Sequence, residues 1–255
     1  MMTIIKKGLL CFCILCGIWC MLNRQAQAVE FGVDLPVNSK YIWRGLEVDN
    51  DPVFQPDAWV SYKGLSLTVW GNLELTNAHD MQHNFTEIDY TLKYAAAFDK
   101  LNYSTGYIYY DFPHTSCRKT QELFASLGYD TILSPTFTVY RDIDEVDGWY
   151  STLGLSHSIE LKQLLNSTLT ISETVGFSSA NHSKFYYGRN TSAFSDSLLS
   201  AGLKIPVTES IAIVPSVSYS ALLDKSIRGA DLNQRNNILW CGVNVTFSFA
   251  TGKKQ

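Results

Sequence analysis

Charged side chains that recur on the polar face of otherwise apolar, alternating stretches are the residues of this chain best placed to do chemistry. Lys40, Arg44, Asp57, Glu74, Glu87, Asp89, Lys93, Glu122, Asp142, Asp144, Asp196 and Lys204 fall in this class, eight of them acidic and four basic. Paired carboxylates such as Glu74 and Glu87 could exchange protons with a glycosidic bond, but no sugar-binding motif accompanies them. A lipid hydrolase needs a serine and a histidine on one face near the outer rim. Ser158 follows His157 directly, so in a strand the two point to opposite faces. His79 and His83 flank Asp80, yet histidines four apart act as one metal ligand set only on a helix. They are read as solvated loop residues, as are His114 and His182. No glycine-rich phosphate cradle and no basic-aromatic nucleic-acid stripe is present. Neither a catalytic set, a metal site nor a cofactor is expected. What remains for the charges is to select small solutes by sign, or to pair with each other and brace a wall.

The elements that position them alternate with period two. Leu65, Leu67, Val69, Leu73 and Leu75 share one face, and Ser66, Thr68, Trp70, Asn72 and Glu74 share the other. Residues 85–96 repeat the pattern. So do residues 237–249, with Leu239, Cys241, Val243, Val245, Phe247 and Phe249 opposite Trp240, Gly242, Asn244, Thr246 and Ser248. Further strands read as 33–47, 53–63, 101–112, 120–129, 136–144, 149–159, 168–177, 194–205 and 210–221. The total is twelve, an even number as single-chain bacterial barrels have. Odd-numbered connections are mostly long or polar and even-numbered ones mostly tight, the asymmetry of such barrels; Asp147-Gly148 reads as a short hairpin turn. A soluble β-sandwich would also alternate. Against it stand aromatic residues on the apolar face near strand ends: Tyr41, Trp43, Tyr62, Tyr103, Tyr107, Tyr129, Tyr219 and Phe247, as in an interfacial girdle.

The N-terminus indicates export. Lys6 and Lys7 precede an apolar run from Gly8 to Leu22, and Ala26-Gln27-Ala28 supplies a small-x-small cleavage pattern before Val29. Residues 1–28 are therefore read as a signal peptide and 29–255 as one domain. Four of six cysteines leave with the signal; Cys117 and Cys241 remain, too few for a disulfide framework. The mature chain keeps 17 basic and 24 acidic residues, a net of −7, which speaks against nucleic acid. Beyond residue 28 no apolar run reaches the ~20 residues of a membrane helix.

Several stretches resemble the TorF-like family of porin-type outer-membrane proteins: 39–45 (Ser-Lys-Tyr-Ile-Trp-Arg-Gly), 109–113 (Tyr-Tyr-Asp-Phe-Pro), 120–123 (Thr-Gln-Glu-Leu), 133–135 (Leu-Ser-Pro) and 140–144 (Tyr-Arg-Asp-Ile-Asp). The resemblance implies a single-chain barrel with a pore activity. One departure is that Phe249 is followed by residues 250–255, so the chain does not end on an aromatic residue.

The reading is an all-β, single-chain antiparallel transmembrane β-barrel of about 12 strands. Its turns are short on the periplasmic side and its loops longer outside, in the cell outer membrane. It meets outer-membrane lipid, is expected to be monomeric, and passes small hydrophilic solutes through an acidic, cation-preferring lumen. A ring of this size has a backbone diameter near ~24 Å, leaving roughly 10 Å between inward side chains. Arg44, Asp57, Glu74, Glu87, Asp89 and Glu122 are expected to line the constriction. Hairpin register should set Arg44 beside Asp57 and Glu74 beside Glu87. The alternatives are a closed structural or adhesive barrel and, last, an outer-membrane lipid-modifying enzyme.

Overall fold

The computed structural model describes residues 28–77, 82–230 and 235–251. The first stave of its wall is β1 (Glu30–Asp34) with β2 (Val37–Asn38). β3 (Tyr41–Trp43) and β4 (Leu46–Asp49) pair only with each other, as a separate two-stranded sheet. The second stave is β5 (Val53–Phe54) with β6 (Asp57–Tyr62). Ten continuous strands follow: β7 (Leu65–Glu74), β8 (Phe85–Phe98), β9 (Leu101–Asp111), β10 (Thr120–Tyr129), β11 (Thr136–Asp142), β12 (Trp149–Leu161), β13 (Ser167–Ser178), β14 (Ala193–Pro206), β15 (Ile211–Leu222) and β16 (Asn237–Ala250). Two helices lie in loops, α1 (Ala180–Tyr187) and α2 (Lys225–Arg228).

Every neighbour in the wall is antiparallel, and β16 returns to β1 in the register Phe31↔Phe249 and Gly32↔Ser248. The wall is thus a closed barrel of twelve staves. Pro36 and Pro56 explain why the first two staves are interrupted, since proline has no N–H to give to a ladder. The Gln55 N–H reaches the Pro36 carbonyl at 3.0 Å across the gap. Gly32 is required where it stands, because a Cβ there would lie 2.7 Å from the Trp59 ring.

Connections of two to six residues (63–64, 99–100, 130–135, 162–166 and 207–210) lie at one end and, apart from the six-residue 143–148, longer ones at the other, which orients the barrel with the short turns in the periplasm. Leu65, Leu67, Val69, Tyr90, Leu92 and Val243 point outward and are exposed. In a sandwich these residues would be buried between sheets. A continuous apolar belt of this kind needs a bilayer around it. Tyr62, Tyr94, Tyr103 and Tyr129 edge it near the periplasmic turns, and Trp149 and Phe194 near the outer rim.

Three expectations are corrected. The first strand does not run through 33–47: it leaves the wall after Asn38, so Tyr41 and Trp43 belong to no girdle. Asp147-Gly148 is no two-residue turn. It ends a six-residue loop organised by Asp142, whose Oδ1 accepts from the N–H groups of Asp144 (2.9 Å) and Val146 (3.0 Å). His182 is not a solvated loop residue but a buried one in α1.

Candidate functional site

β3 and β4 form a hairpin joined by Arg44 (φ 47°) and Gly45 (φ 80°). Two successive positive φ angles make a type I′ turn, whose twist suits a two-residue hairpin, and glycine at the second position removes the Cβ penalty. The hairpin leaves the wall beside β16, where the Ser39 N–H bonds the Cys241 carbonyl at 2.9 Å, and crosses the lumen. Its tip packs on the wall near that exit: a Cβ on Gly45 would stand 2.7 Å from both Asp196 of β14 and Leu222 of β15, the two strands next to β16.

Arg44 fastens the hairpin across the lumen, to Glu122 of β10. Its Nη1 and Nη2 donate to Oε1 and Oε2 of Glu122 at 2.8 and 2.7 Å, a bidentate pair with side chains only 8% and 2% exposed. The guanidinium lies over the rings of Trp43 (4.3 Å), Tyr140 (4.9 Å) and Tyr150 (4.3 Å). His182 Nε2 is 3.1 Å from Nη1, and the Tyr187 hydroxyl donates to the Arg44 carbonyl at 2.7 Å. A charge out of water needs this completeness, because each unmet donor would carry its full desolvation cost. Tyr110 closes the set by donating to Glu122 Oε2 at 2.8 Å. Above the hairpin, Tyr187, Leu222 and Ile227 form a small core with Leu46, Tyr186 and Ala193. At the stem Glu47 meets Lys40 (3.2 Å) and Arg235 (2.6 Å).

Arg44 therefore sits opposite Glu122, not beside Asp57. Glu87 accepts from the Tyr41 hydroxyl at 2.9 Å and pairs in register with Asn72, a bulge at Asn72/Leu73 separating it from the Glu74 partner expected. Glu74 is buried at the top of β7. Asp57 lies deeper in the lumen, across the strand pair from Asp34 and, through Trp70, in register with Asp89. The Oδ1 atoms of Asp57 and Asp89 are buried without a hydrogen-bond partner among the described residues. Arg44, Glu87 and Glu122 thus meet at the hairpin, whereas Asp57 and Asp89 belong to an acidic stripe with Asp34. His157, facing outward, lies 2.7 Å from the Ile132 carbonyl.

Tyr140, Tyr150, His182 and Gly45 were missed as site residues. Gly45 carried a legible signal: an x-Gly pair flanked by Tyr41, Trp43, Leu46 and Val48 at alternate positions. Residues 39–45, 109–113, 120–123 and 140–144 converge here, contributing Arg44, Tyr110, Glu122 and Tyr140, with Asp142 in register with Glu122; residues 133–135 lie in a turn at the far end.

Below the hairpin the lumen widens. Gly106, Ser126, Gly128, Gly154, Ser172, Gly202 and Ser216 face inward, and cross-strand hydroxyl pairs such as Ser126–Thr138 and Ser200–Ser218 (both 2.9 Å) satisfy the wall within itself. Two periplasmic-side pockets of about 430 and 460 Å³ open there, the second lined by Asp34, Asp57 and Lys93.

No protein-family model and no curated protein matches the chain. Among solved structures, the KdgM porin superposes with a TM-score of 0.51 at 10% identity, over 86% of this chain and 99% of that one. The NanC porin gives 0.49 at 14%, over 85% and 98%. OmpT of Vibrio cholerae gives 0.41 at 9%, over 89% and 99%. The chain has the fold of an outer-membrane porin. Within that fold, the β3–β4 hairpin lies across the lumen near its outer mouth.

Proposed function

We propose that the mature chain, residues 29–255 after removal of a signal peptide, is a monomeric outer-membrane pore for small hydrophilic solutes, and that its constriction is the β3–β4 hairpin. The observation that carries this is the division of the lumen: a wide, hydroxyl-lined periplasmic half beneath a crossing segment fastened by one buried ion pair. The porin fold and the convergence of the TorF-like stretches on that ion pair support the reading and, with it, assignment to that family. Asp34 and Asp57 give the path below the hairpin a negative field, and the Asp89 carboxyl beside them adds oxygen acceptors, which together favour cations. One KdgM structure is a complex with oligogalacturonate. Such a polyanion would be repelled by this stripe, so it is not the solute class we assign.

Refolded protein in planar bilayers tests the proposal. Removing one partner of a buried ion pair costs about 3–5 kcal/mol. That is enough to turn a seated hairpin into a largely unseated one. Arg44→Ala should therefore raise conductance, and the reversal potential under a salt gradient should show cation preference in both proteins. Anion preference would refute the charge assignment. Silence from both proteins would establish the closed structural barrel instead.

A further inference from the structure

The outward side of the plug carries a pocket that solute passage does not use. It has a volume of about 240 Å³ and lies between the hairpin, α1 and the loops after β9 and β11. Its walls are aromatic, from Trp43, Tyr110, Phe112 and Tyr186. Its deep end is Glu87, a carboxylate only 8% exposed that accepts from the Tyr41 hydroxyl. Its rim holds Arg118, whose side chain is 80% exposed, paired with Glu145 at 3.5 Å. Arg44 stacks on the Trp43 ring and is already engaged by Glu122.

We infer that this pocket binds small organic cations with an apolar body, of the aryl- or alkylammonium class. Ring faces present negative potential and hold a cation without demanding that its hydration be replaced by hydrogen bonds. The buried carboxyl of Glu87 beyond them supplies the opposite charge once an ammonium lies against it, and Glu145 at the entrance balances Arg118 at the rim. An anion would meet Glu87, and Arg44 behind the Trp43 ring is already engaged by Glu122, while a neutral ligand would forgo both attractions. The pocket is small, so the ligand is about the size of one ring with its ammonium head. The inference does not depend on whether the barrel conducts; it needs only the hairpin seated.

Isothermal titration of the folded, detergent-solubilised mature chain decides it, with benzyltrimethylammonium, benzyl alcohol and benzoate as probes and Trp43→Ala as the blank for uptake by detergent. The ammonium should bind about tenfold more tightly than the alcohol, and benzoate not at all. Glu87→Gln should erase most of that tenfold while leaving the alcohol unchanged. Glu145→Gln, at the solvated rim, should weaken the ammonium by about twofold and guards against a Glu87 variant that fails to fold. Equal affinity for ammonium and alcohol would overturn the inference, as would identical heats from the native chain and Trp43→Ala.

Discussion

At the residue scale the plug turns on two side chains, Arg44 and His182. A lysine could not replace Arg44, since a single ammonium cannot make two parallel bonds to Glu122 and lie flat on three rings. Period two told which face Arg44 occupies but not whether its chain stays in the wall, so its importance was legible and its partner was not. A loop histidine such as His182 is ordinarily solvated; its burial comes from α1 folding back onto the hairpin, a tertiary event with no local signal. Burial, and then the charge of Arg44, hold the His182 imidazole well below its ordinary range. An unseated imidazole takes up a proton near ~6.5. Seating is thus at full strength above that pH and weakens as pH falls through and below it. Conductance should rise on going from neutral to mildly acidic solution, and His182→Gln, which can still accept from Arg44, should flatten that response. A native profile without pH dependence over this range would dismiss His182 as a restraint on the hairpin.

At the scale of elements, the long strands were legible because lipid outside and water inside impose alternation over ten or more residues, as in β8 and β16. The first two staves were not, because Pro36 and Pro56 break them and because the hairpin continues the same alternation after leaving the wall. Tyr41 and Trp43 keep the period of a membrane strand while facing the lumen, so pattern alone merged them with it. Gly45 holds the element in place by what it lacks. A valine there would have to adopt φ near +80° and would strike Asp196 and Leu222. The backbone cost alone is about 1–3 kcal/mol. Gly45→Val should leave the barrel folded, read as a mobility in denaturing gels that shifts only on heating, and expose the hairpin to protease added from the outer side. Protection equal to the native chain would mean that the tip contact is dispensable.

For the molecule as a whole, closure, orientation and the outward apolar belt followed from strand count and loop asymmetry. The filled outer mouth did not, because it depends on side chains far apart in sequence meeting in space. Orientation has a direct check in the two cysteines. Cys117 lies in the exposed loop 112–119, and Cys241 is exposed on the outer face of β16. A membrane-impermeant maleimide added to intact cells should label Cys117 and spare Cys241, which lipid covers. Mass spectrometry of the same labelled protein should place its first residue at Val29. Labelling of Cys117 only after the cells are broken would invert the barrel, and a longer N-terminus would move the cleavage site.

Distance along the chain gives the hairpin a place in time. Arg44 waits for Glu122, 78 residues later, and for His182, 138 residues later. Contacts of such separation form only after the intervening loop closure has been met. The segment that obstructs the mouth is therefore synthesised among the first and secured among the last. Before β10 to β15 join the wall, the hairpin can reach Glu87 of β8 through Tyr41 but lacks the ion pair that locks it, so completion of the circle and full seating of the hairpin become a single late event.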